Sequence, residues 1–485
     1  MTLLLISLLV LVGGYFVYGL LVEKVFGIDA SRLTPAMEKN DGIDFLPMPT
    51  WKVFLIQFLN IAGLGPIFGA IMGVMFGPAA FIWIVAGTVF AGAVHDFISA
   101  MMSLRSGGKS LPELIGNELG LSVKQIIRVV STVLLVLVAA VFVLTPAGLL
   151  ADMTPSWANT TFWIGLIFLY YILATLLPID KVIGRIYPVF GAALLFMAAG
   201  LLYVLLFGGH VIPDGFADGL QNRHASSGSI PVFPMMFVSI ACGAISGFHA
   251  TQSPMMARCL KNEKLARPVF YGAMVAEGIV ALVWAAAAIT FTGGYSGLNE
   301  YMASHAGAGA LVHDISVEWL GAVGGVLALL GVIAAPITTG DTALRSARLA
   351  VADMFSVSQD KIGRRLAVSL PLFALTFGVM LIDFNVLWRY FAWTNQTLAA
   401  FTLWAATVYL SRHGKAYVIT LVPAVFMTLV VVSYILFAPS PEGFGFPLWG
   451  ALTVAGIVDA LCVGAFVRHR VLLAGSMPAE GLLNK

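Results

Sequence analysis

Residues 58–73 read FLNIAGLGPIFGAIMG. The segment lies within an apolar run long enough to cross a membrane, yet it holds Asn60, four glycines and Pro66 near its centre. Glycine costs about 1 kcal/mol in a helix interior and proline about 3 kcal/mol. Non-helical backbone is tolerated at membrane depth only where protein or a polar cavity surrounds it. We therefore expect a broken helix and a binding site here; the alternative is that the glycines only allow close helix packing.

The composition of the whole chain is that of a membrane protein. Of its 485 residues, 60% are hydrophobic and 10% are charged, and the mean hydropathy is +0.95. A membrane span needs roughly 20 apolar residues and must satisfy its backbone polar groups internally, so we expect an all-α polytopic bundle. The pattern predicts about 13 transmembrane helices, at 3–22, 51–75, 79–103, 125–151, 159–177, 183–207, 232–254, 267–292, 317–340, 363–382, 386–410, 416–438 and 448–468.

Charge and cysteine usage narrow the class further. Lysine and arginine concentrate in alternate predicted loops, which by the positive-inside rule places the N-terminus outside and the C-terminus in the cytoplasm. The first span has no basic leader and no convincing cleavage site, so we expect it to be retained. The net charge of +2 gives no reason to expect a nucleic-acid partner. The three cysteines, Cys242, Cys259 and Cys462, are scattered and predict neither a disulfide framework nor a metal cluster.

A second interruption occurs at residues 242–254, CGAISGFHATQSP. Its glycines and hydroxyl residues predict another break, with the helix restarting at Pro254. The two breaks fall in predicted spans two and seven, so the broken helices would run in opposite directions through the membrane. Paired interrupted helices in inverted halves are the best sequence indication of a transporter binding site.

This pairing predicts the organisation of the chain. Two five-helix repeats of opposite orientation would form the core, and no cofactor is expected. The predicted units are a first helix with a cytoplasmic linker (1–50), the first repeat (51–207), an extracytoplasmic loop (208–231), the second repeat (232–410), and two last helices with a short tail (411–485).

The breaks supply the candidate substrate-binding residues. Pro66 would begin a second half-helix whose N–H groups suit a carboxylate, while carbonyls near Asn60 would suit a cation. His249 lies beside the second break, although a lone histidine is as often structural. The full candidate set is Asn60, Gly63, Gly65, Pro66, Ser246, Gly247, His249 and Asn395.

Four ionisable residues in or beside the spans are candidates for carrying a coupled proton: His95, Asp96, Glu277 and Asp341. Ionisable groups inside a membrane are costly and are functional candidates by default. His95 and Asp96 are neighbours that point about 100° apart on a helix and need not pair. The alternatives are structural hydrogen bonds and, for Asp341, an ion pair with Arg345 four residues on.

Thr338 and Thr339 follow Pro336 and could ligate a sodium ion together with carbonyls of the first break. Ordinary hydrogen bonding of each hydroxyl to its own helix is the alternative.

Five blocks occur in order along the chain: NIAGLGPIFGAIMG (60–73), AGAVHDF with SLRSGGKS after it (91–110), GAISGFHA (243–250), TTGDTALRSAR (338–348) and NQTLAAFTLWAATVYL (395–410). Together they resemble the signature blocks of the carbon starvation A family of peptide and pyruvate transporters, over roughly residues 50–410. The resemblance implies a member of the amino acid/polyamine/organocation superfamily with the leucine-transporter-type five-plus-five inverted repeat.

The function that follows is proton-coupled uptake of small peptides across the bacterial inner membrane by alternating access. A pyruvate, other monocarboxylate or amino-acid carrier is the alternative, with sodium as a second candidate ion. A channel is a third option, but no filter or charge ring is visible. An intramembrane serine protease is a remote fourth, based on Ser246 near His249, with Ala244 in place of the first glycine of a Gly-x-Ser-Gly pattern.

Overall fold

The computed structural model describes residues 1–42, 44–176, 179–213, 219–304, 307–359 and 361–476. Within these ranges the chain forms helices joined by turns and loops, and no strand occurs in them. The helices are α1 (Thr2–Phe16), α2 (Tyr18–Phe26), α3 (Pro35–Glu38), α4 (Thr50–Ile61), α5 (Ala70–Val74), α6 (Ala79–Ala86), α7 (Ala93–Arg105), α8 (Leu111–Leu119), α9 (Leu121–Met153), α10 (Thr160–Leu176), α11 (Ile179–Phe207), α12 (Val232–Ser239), α13 (Gly247–Ala257), α14 (Gly272–Phe291), α15 (Tyr295–Ser304), α16 (Ala308–Ala328), α17 (Ala335–Met354), α18 (Ile362–Val379), α19 (Phe384–Arg412), α20 (Val418–Phe437) and α21 (Leu448–Ser476).

Nine helices in the described ranges are long and apolar enough to cross a membrane. α4 and the bent continuation Gly65–Val74 make a tenth when they are taken as one span. Three of the predicted spans are not among these ten. They coincide with α10, with the pair α12 and α13, and with α19. The all-α, multi-pass architecture is confirmed, whereas the number thirteen stays a prediction.

The spans divide into central and peripheral ones. The most apolar window is 83% buried in the span Ala79–Arg105 and 78% buried in Glu263–Phe291. The corresponding windows of Thr2–Phe26 and Leu448–Val471 are only 22% buried. Since apolar surface on a membrane protein is suited to lipid, the first and last helices present their outer faces to the bilayer and α7 and α14 form the centre.

The first break lies where the sequence predicts it. α4 ends at Ile61 because Ala62 leaves helical geometry, with φ −84° and ψ 47°. The chain resumes in a wide π-helical turn, Gly65–Gly69, with Pro66 in its first turn. Proline suits that position because its missing N–H would have no partner there. The two halves are bent by 53°, so the break predicted from the glycines and the proline is confirmed.

The glycines of the first break also permit close packing, which was the alternative explanation for them. Gly65, Gly69 and Gly73 follow one another at four-residue spacing and face the non-helical backbone after α12. A Cβ added at Gly65 would lie 2.1 Å from Cβ of Cys242, and one at Gly73 would lie 2.1 Å from Cγ1 of Ile240. At Gly69 it would lie 2.9 Å from a backbone carbonyl oxygen. The same glycines therefore both weaken the helix and permit close packing.

The second break is confirmed, but its restart point differs from the prediction. α12 ends at Ser239 and α13 begins at Gly247, so residues 240–246 are not helical. Pro254 lies inside α13 rather than at its start, and the predicted restart there is wrong. The helix begins earlier because a partner from another helix accepts a hydrogen bond from one of its first amide groups, a contact that sequence spacing does not reveal.

That partner is Asn395 of α19. Its Oδ1 atom accepts hydrogen bonds from the Ser246 hydroxyl at 3.0 Å and from the backbone N–H of Phe248 at 2.7 Å. Ser246 has the extended backbone of a helix N-cap, with φ −144° and ψ 125°. The backbones of α13 and α19 approach so closely that a Cβ added at Gly247 would lie 2.4 Å from the carbonyl oxygen of Asn395. The start of α13 is thus held by a side chain about 150 residues away.

Gly92 offers a test of this packing, because a Cβ added there would lie 2.2 Å from the carbonyl oxygen of Ala244 in the second break. We expect Gly92→Ala to lower the free energy of unfolding by about 1–3 kcal/mol, since backbone cannot move aside as a side chain can. Gly148 in α9 has no atom within 4 Å of its added Cβ, and Gly148→Ala should be neutral or stabilising by about 0.5–1 kcal/mol. Thermal unfolding midpoints in detergent check both; equal shifts would contradict the packing argument.

The cap on α13 gives a second test. Asn395→Ala leaves the buried N–H of Phe248 without its acceptor, which costs about 1–3 kcal/mol. We expect hydrogen exchange of the amides of 247–251 to accelerate about tenfold or more. Thr397→Ala is the matched control on the same helix, because its hydroxyl donates only within α19, to the carbonyl of Trp393 at 2.9 Å. Unchanged protection in Asn395→Ala would show that the cap is not what holds this end.

Candidate functional site

Four ionisable side chains from α7, α13 and α14 meet beside the second break and are called here the buried network: His95, Asp96, His249 and Glu277. Nδ1 of His95 lies 2.8 Å from Oδ1 of Asp96, and Nδ1 of His249 lies 3.0 Å from Oδ2 of Asp96. Nε2 of His249 lies 3.5 Å from Oε2 of Glu277. Each residue is at most 1% exposed. Three residues predicted to be proton carriers and one predicted to contact substrate therefore form one cluster.

The sequence predicts that His95 and Asp96 need not pair, but in the structure they do. Their side chains are hydrogen-bonded although neighbours on a helix point apart. The short Asp96 side chain carries two acceptor oxygens; one reaches His249 on another helix and the other turns to its neighbour. An ionised carboxylate can only accept hydrogen bonds, so each ring donates its Nδ1–H to Asp96. A neutral imidazole carries one ring hydrogen, so Nε2 of each neutral ring carries none.

Several atoms of this network lack hydrogen bonds within the described part of the chain. They are Nε2 of His95, Nε2 of His249 and both carboxyl oxygens of Glu277. Buried polar atoms are nearly always bonded in proteins, so such a group needs an explanation. The arrangement can hold a proton or a cation between His249 and Glu277.

Cys242, which the sequence analysis set aside, belongs to the same place. Its Sγ atom lies 3.5 Å from the Ser246 hydroxyl and 3.5 Å from Nδ2 of Asn395. Sγ of Cys242, a ring nitrogen of His249 and a carboxyl oxygen of Glu277 lie within 4.8 Å of one another. A cysteine seven residues before a histidine is a weak signal, because only the non-helical backbone between them folds the two side chains together.

The structure brings the two breaks into contact. A Cβ added at Gly243, which has a positive φ of 94°, would lie 3.4 Å from Cα of Pro66. Gly65 faces Cys242 in the same way. Gly63 lies on another side, where an added Cβ would be 3.0 Å from Phe142. Gly65, Gly243 and Pro66 thus line the crossing of the two non-helical segments.

The first two N–H groups that follow Pro66 are already hydrogen-bonded in this structure. The N–H groups of Ile67 and Phe68 both donate to the carbonyl of Leu64, at 3.2 and 2.8 Å. A substrate carboxylate at this end would have to displace those bonds. The prediction that Gly65 and Pro66 bind a carboxylate stays a prediction.

Asn60 is the most suggestive member of the first break. It is fully buried, and neither its Oδ1 nor its Nδ2 atom has a hydrogen-bond partner within the described residues. Gln57, three residues earlier on α4, is in the same situation and was missed by the sequence analysis. Residues three apart share a helix face, so their spacing was the signal that could have found Gln57.

Thr339 connects α17 to the first break. Its hydroxyl donates to the carbonyl of Leu59 at 3.2 Å and to that of Ala335 at 3.0 Å. The Thr338 hydroxyl donates to Ala335 at 2.7 Å, which is the own-helix bonding weighed as the alternative. The structure thus brings Thr339, rather than Thr338, to the carbonyl end of α4.

Asp341 is fully buried and lies apart from the network. Its Oδ2 atom is 3.0 Å from the hydroxyl of Tyr187, and that hydroxyl is 2.7 Å from the carbonyl of Thr338. Its hydrogen bond thus goes to α11 rather than to Arg345. Arg345 is only 1% exposed and donates to the carbonyl of Ala174, and its charge also acts on the Asp341 carboxyl, so the ion pair weighed as the alternative stays a prediction.

The serine protease interpretation has no support in this geometry. The Ser246 hydroxyl donates to Asn395, and Nε2 of His249, the atom that would act as the base, lies beside Oε2 of Glu277 at 3.5 Å. A nucleophilic serine would instead need a base within hydrogen-bond reach of its own hydroxyl.

An open cavity of about 640 Å³ reaches the second half of the first broken helix. Its apolar wall includes Phe68, Met72 and Trp388, and its polar residues include Asp314 and Arg389. Asp314 accepts a hydrogen bond from Tyr301, and Arg389 pairs with Glu442. Phe68 and Trp388, whose ring centroids are 6.1 Å apart, line the inner end nearest the break.

Comparison with known proteins agrees with this architecture. The family model of the carbon starvation protein CstA matches residues 1–214, 157–316 and 302–434. An uncharacterized membrane protein of Haemophilus influenzae is 44% identical over 329 residues, covering 58% of this chain and 89% of that protein.

Two relatives carry functional names. The peptide transporter CstA of Escherichia coli K12 is 30% identical over 361 residues, covering 61% of this chain and 51% of that protein. The pyruvate/proton symporter BtsT of the same strain is 29% identical over 350 residues, covering 59% and 48%. The chain therefore spans about half the length of these two transporters.

Among solved structures, a manganese transporter of Eremococcus coleocola matches with a TM-score of 0.52 at 12% identity, covering 89% of this chain and 97% of that one. This likeness concerns the fold alone. The named relatives are transporters and not enzymes. Since the matches to one family model run from residue 1 to residue 434, the chain belongs to the carbon starvation protein CstA family.

Proposed function

We propose that this protein is a secondary active transporter that takes up small peptides with protons across the bacterial inner membrane, by alternating access. The observation that carries the proposal is the contact between two broken helices beside buried ionisable groups. The proposed core is a pair of inverted five-helix repeats, 51–207 and 232–410, with the N-terminus outside and the C-terminus in the cytoplasm. The names of the relatives, a peptide transporter and a pyruvate/proton symporter, support the substrate class.

The coupling proton is assigned to Asp341. The hydroxyl of Tyr187 has one hydrogen but two oxygen neighbours, the carbonyl of Thr338 at 2.7 Å and Oδ2 of Asp341 at 3.0 Å. If the hydrogen goes to the nearer carbonyl, the contact with Asp341 is favourable only when the carboxyl group donates, which means that it is protonated.

Losing that proton would change the surroundings of the first break. An ionised carboxylate that is fully buried needs new donors or water, and Oδ1 of Asp341 has no hydrogen bond within the described residues. Thr339, two residues away, bonds the carbonyl of Leu59 at the end of α4. Deprotonation therefore favours movement of α17 relative to the break, which is what alternating access requires.

The substrate would enter through the cavity beside Phe68 and Trp388 and reach the break at Asn60. Its apolar wall suits side chains, and the amide groups of Asn60 and Gln57, which lack partners within the described residues, suit the polar backbone of a short peptide. Pyruvate is the second candidate because it would use the carboxylate contacts alone.

The direct test is uptake by purified protein in liposomes, with labelled dipeptide and labelled pyruvate offered in parallel under an inward proton or sodium gradient. Dipeptide accumulation driven by protons is expected. Accumulation of pyruvate alone would make the protein a monocarboxylate carrier, and a sodium requirement would move attention to Thr339 and the Leu59 carbonyl. No accumulation of either substrate would contradict the proposal.

Asp341→Asn should separate transport from coupling. A gradient of one pH unit supplies about 1.4 kcal/mol, enough for about tenfold accumulation at one proton per substrate. The variant, which cannot lose a proton, should fall to no accumulation while still exchanging labelled for unlabelled dipeptide. Asp353→Asn is the control on the same helix, where the carboxylate accepts from Ser110 at 3.0 Å. Full proton-driven accumulation in Asp341→Asn would refute this assignment.

A further inference from the structure

The buried network and Cys242 have an arrangement that proton transfer does not require. Sulfur, ring nitrogen and carboxyl oxygen converge on one point, with their ligand atoms within 4.8 Å of one another. We propose that Cys242, His249 and Glu277 bind a divalent transition-metal ion, with Zn²⁺ as the best match. This inference concerns the site alone and does not rest on the proposed transport function.

The distances suit a tetrahedral ion. Zinc binds thiolate at about 2.3 Å and imidazole or carboxylate at about 2.0–2.2 Å, so that its ligand atoms lie about 3.3–3.8 Å apart. Nε2 of His249 and Oε2 of Glu277 are 3.5 Å apart, which is longer than a good hydrogen bond and fits two ligands of one ion. The sulfur lies within 4.8 Å of the other two ligand atoms, so it would have to move inward by up to about 1 Å to complete the set.

The outer partners are those that metal ligands usually have. A ligating histidine commonly donates its other ring N–H to a carboxylate, and Nδ1 of His249 is 3.0 Å from Oδ2 of Asp96. His95 holds the other oxygen of Asp96 at 2.8 Å. On the opposite side, Nδ2 of Asn395 lies 3.5 Å from Sγ of Cys242. These contacts leave Nε2 of His249 directed at the proposed site.

The proposed ion also explains the atoms without hydrogen bonds. Nε2 of His249 and both oxygens of Glu277 form no well-aligned hydrogen bond within the described residues, and both side chains are fully buried. Their contacts are the 3.5 Å approach of Nε2 to Oε2 and the backbone N–H of Gly243 beside the Glu277 carboxyl. An ion between the two side chains would take a lone pair from Nε2 and from a carboxyl oxygen, and a cation is the group that satisfies several lone pairs together.

The chemistry of the three ligands indicates which metal ions the site would prefer. Thiolate and imidazole favour zinc and similar first-row metals over magnesium or calcium, which prefer oxygen. Three protein ligands leave the fourth tetrahedral position open, as in sites that bind water or a second ligand. A bound ion would fix the second break to α14, because Cys242 lies in the break and Glu277 on that helix.

The experiment uses the purified full-length protein in lipid nanodiscs, stripped with a chelator and titrated with Zn²⁺ or Co²⁺. We expect about one equivalent of metal, and with Co²⁺ a near-ultraviolet band from thiolate-to-cobalt charge transfer. Cys242→Ser should abolish the band and weaken binding at least tenfold. Cys259→Ser, which changes another buried cysteine, should keep both.

Two further variants separate ligation from misfolding. Asp96→Asn should keep the cobalt band but weaken metal affinity about 10–100-fold, as loss of an outer partner does. Glu277→Gln should lose affinity while eluting as a folded protein in size-exclusion chromatography. No stoichiometric binding by the unmodified protein, or binding unchanged in Cys242→Ser, would overturn the proposal. The dipeptide uptake assay tests transport independently of metal binding, so either proposal can fail while the other holds.

Discussion

Everything in this structure depends on two stretches of non-helical backbone that pass each other inside an apolar bundle. Their peptide groups need partners, because hydrocarbon offers no hydrogen bonds. Asn395 supplies an acceptor to the amide of Phe248, Thr88 donates to the carbonyl of Gly243, and Thr339 bonds the end of α4. Each partner comes from another helix, so the bundle as a whole keeps the breaks open.

The same crossing requires very small residues, since Gly65, Gly92 and Gly247 each face atoms that a Cβ would meet at 2.1 to 2.4 Å. Two of the turns beside it, Gly65–Gly69 and Gly87–Gly92, are π-helical. Wide turns of this kind are frequent at functional sites. Wide turns and dense packing therefore coexist here, which suits an element that moves between two packed arrangements, as the proposed alternating access requires.

Local sequence was sufficient to predict the breaks but not their partners. Glycine and proline weaken a helix wherever they stand, so the end of α4 and the gap before α13 follow from residue type. The restart at Gly247 does not, because it depends on a side chain of α19. Cys242 and Tyr187 were missed for the same reason, since each gains its meaning from residues far along the chain. Membership of the family could be recognised from the ordered blocks, but the pairing of His95 with Asp96 could not.

The pair Tyr187 and Asp341 differs from the group Cys242, His249 and Glu277 in the kind of ligand that would satisfy its polar atoms. We propose a proton for the first and a metal ion for the second. In the proposal for Asp341, the Tyr187 hydroxyl has one hydrogen for two oxygen neighbours, and a proton on the carboxyl group would supply a second hydrogen. At the second break a proton between His249 and Glu277 would have to span 3.5 Å and would leave the sulfur of Cys242 outside the interaction. An ion with longer reach and several coordination positions satisfies all three atoms at once. We therefore favour Asp341, which is linked to the first break through Thr339, as the titrating group, and the second break as the metal site.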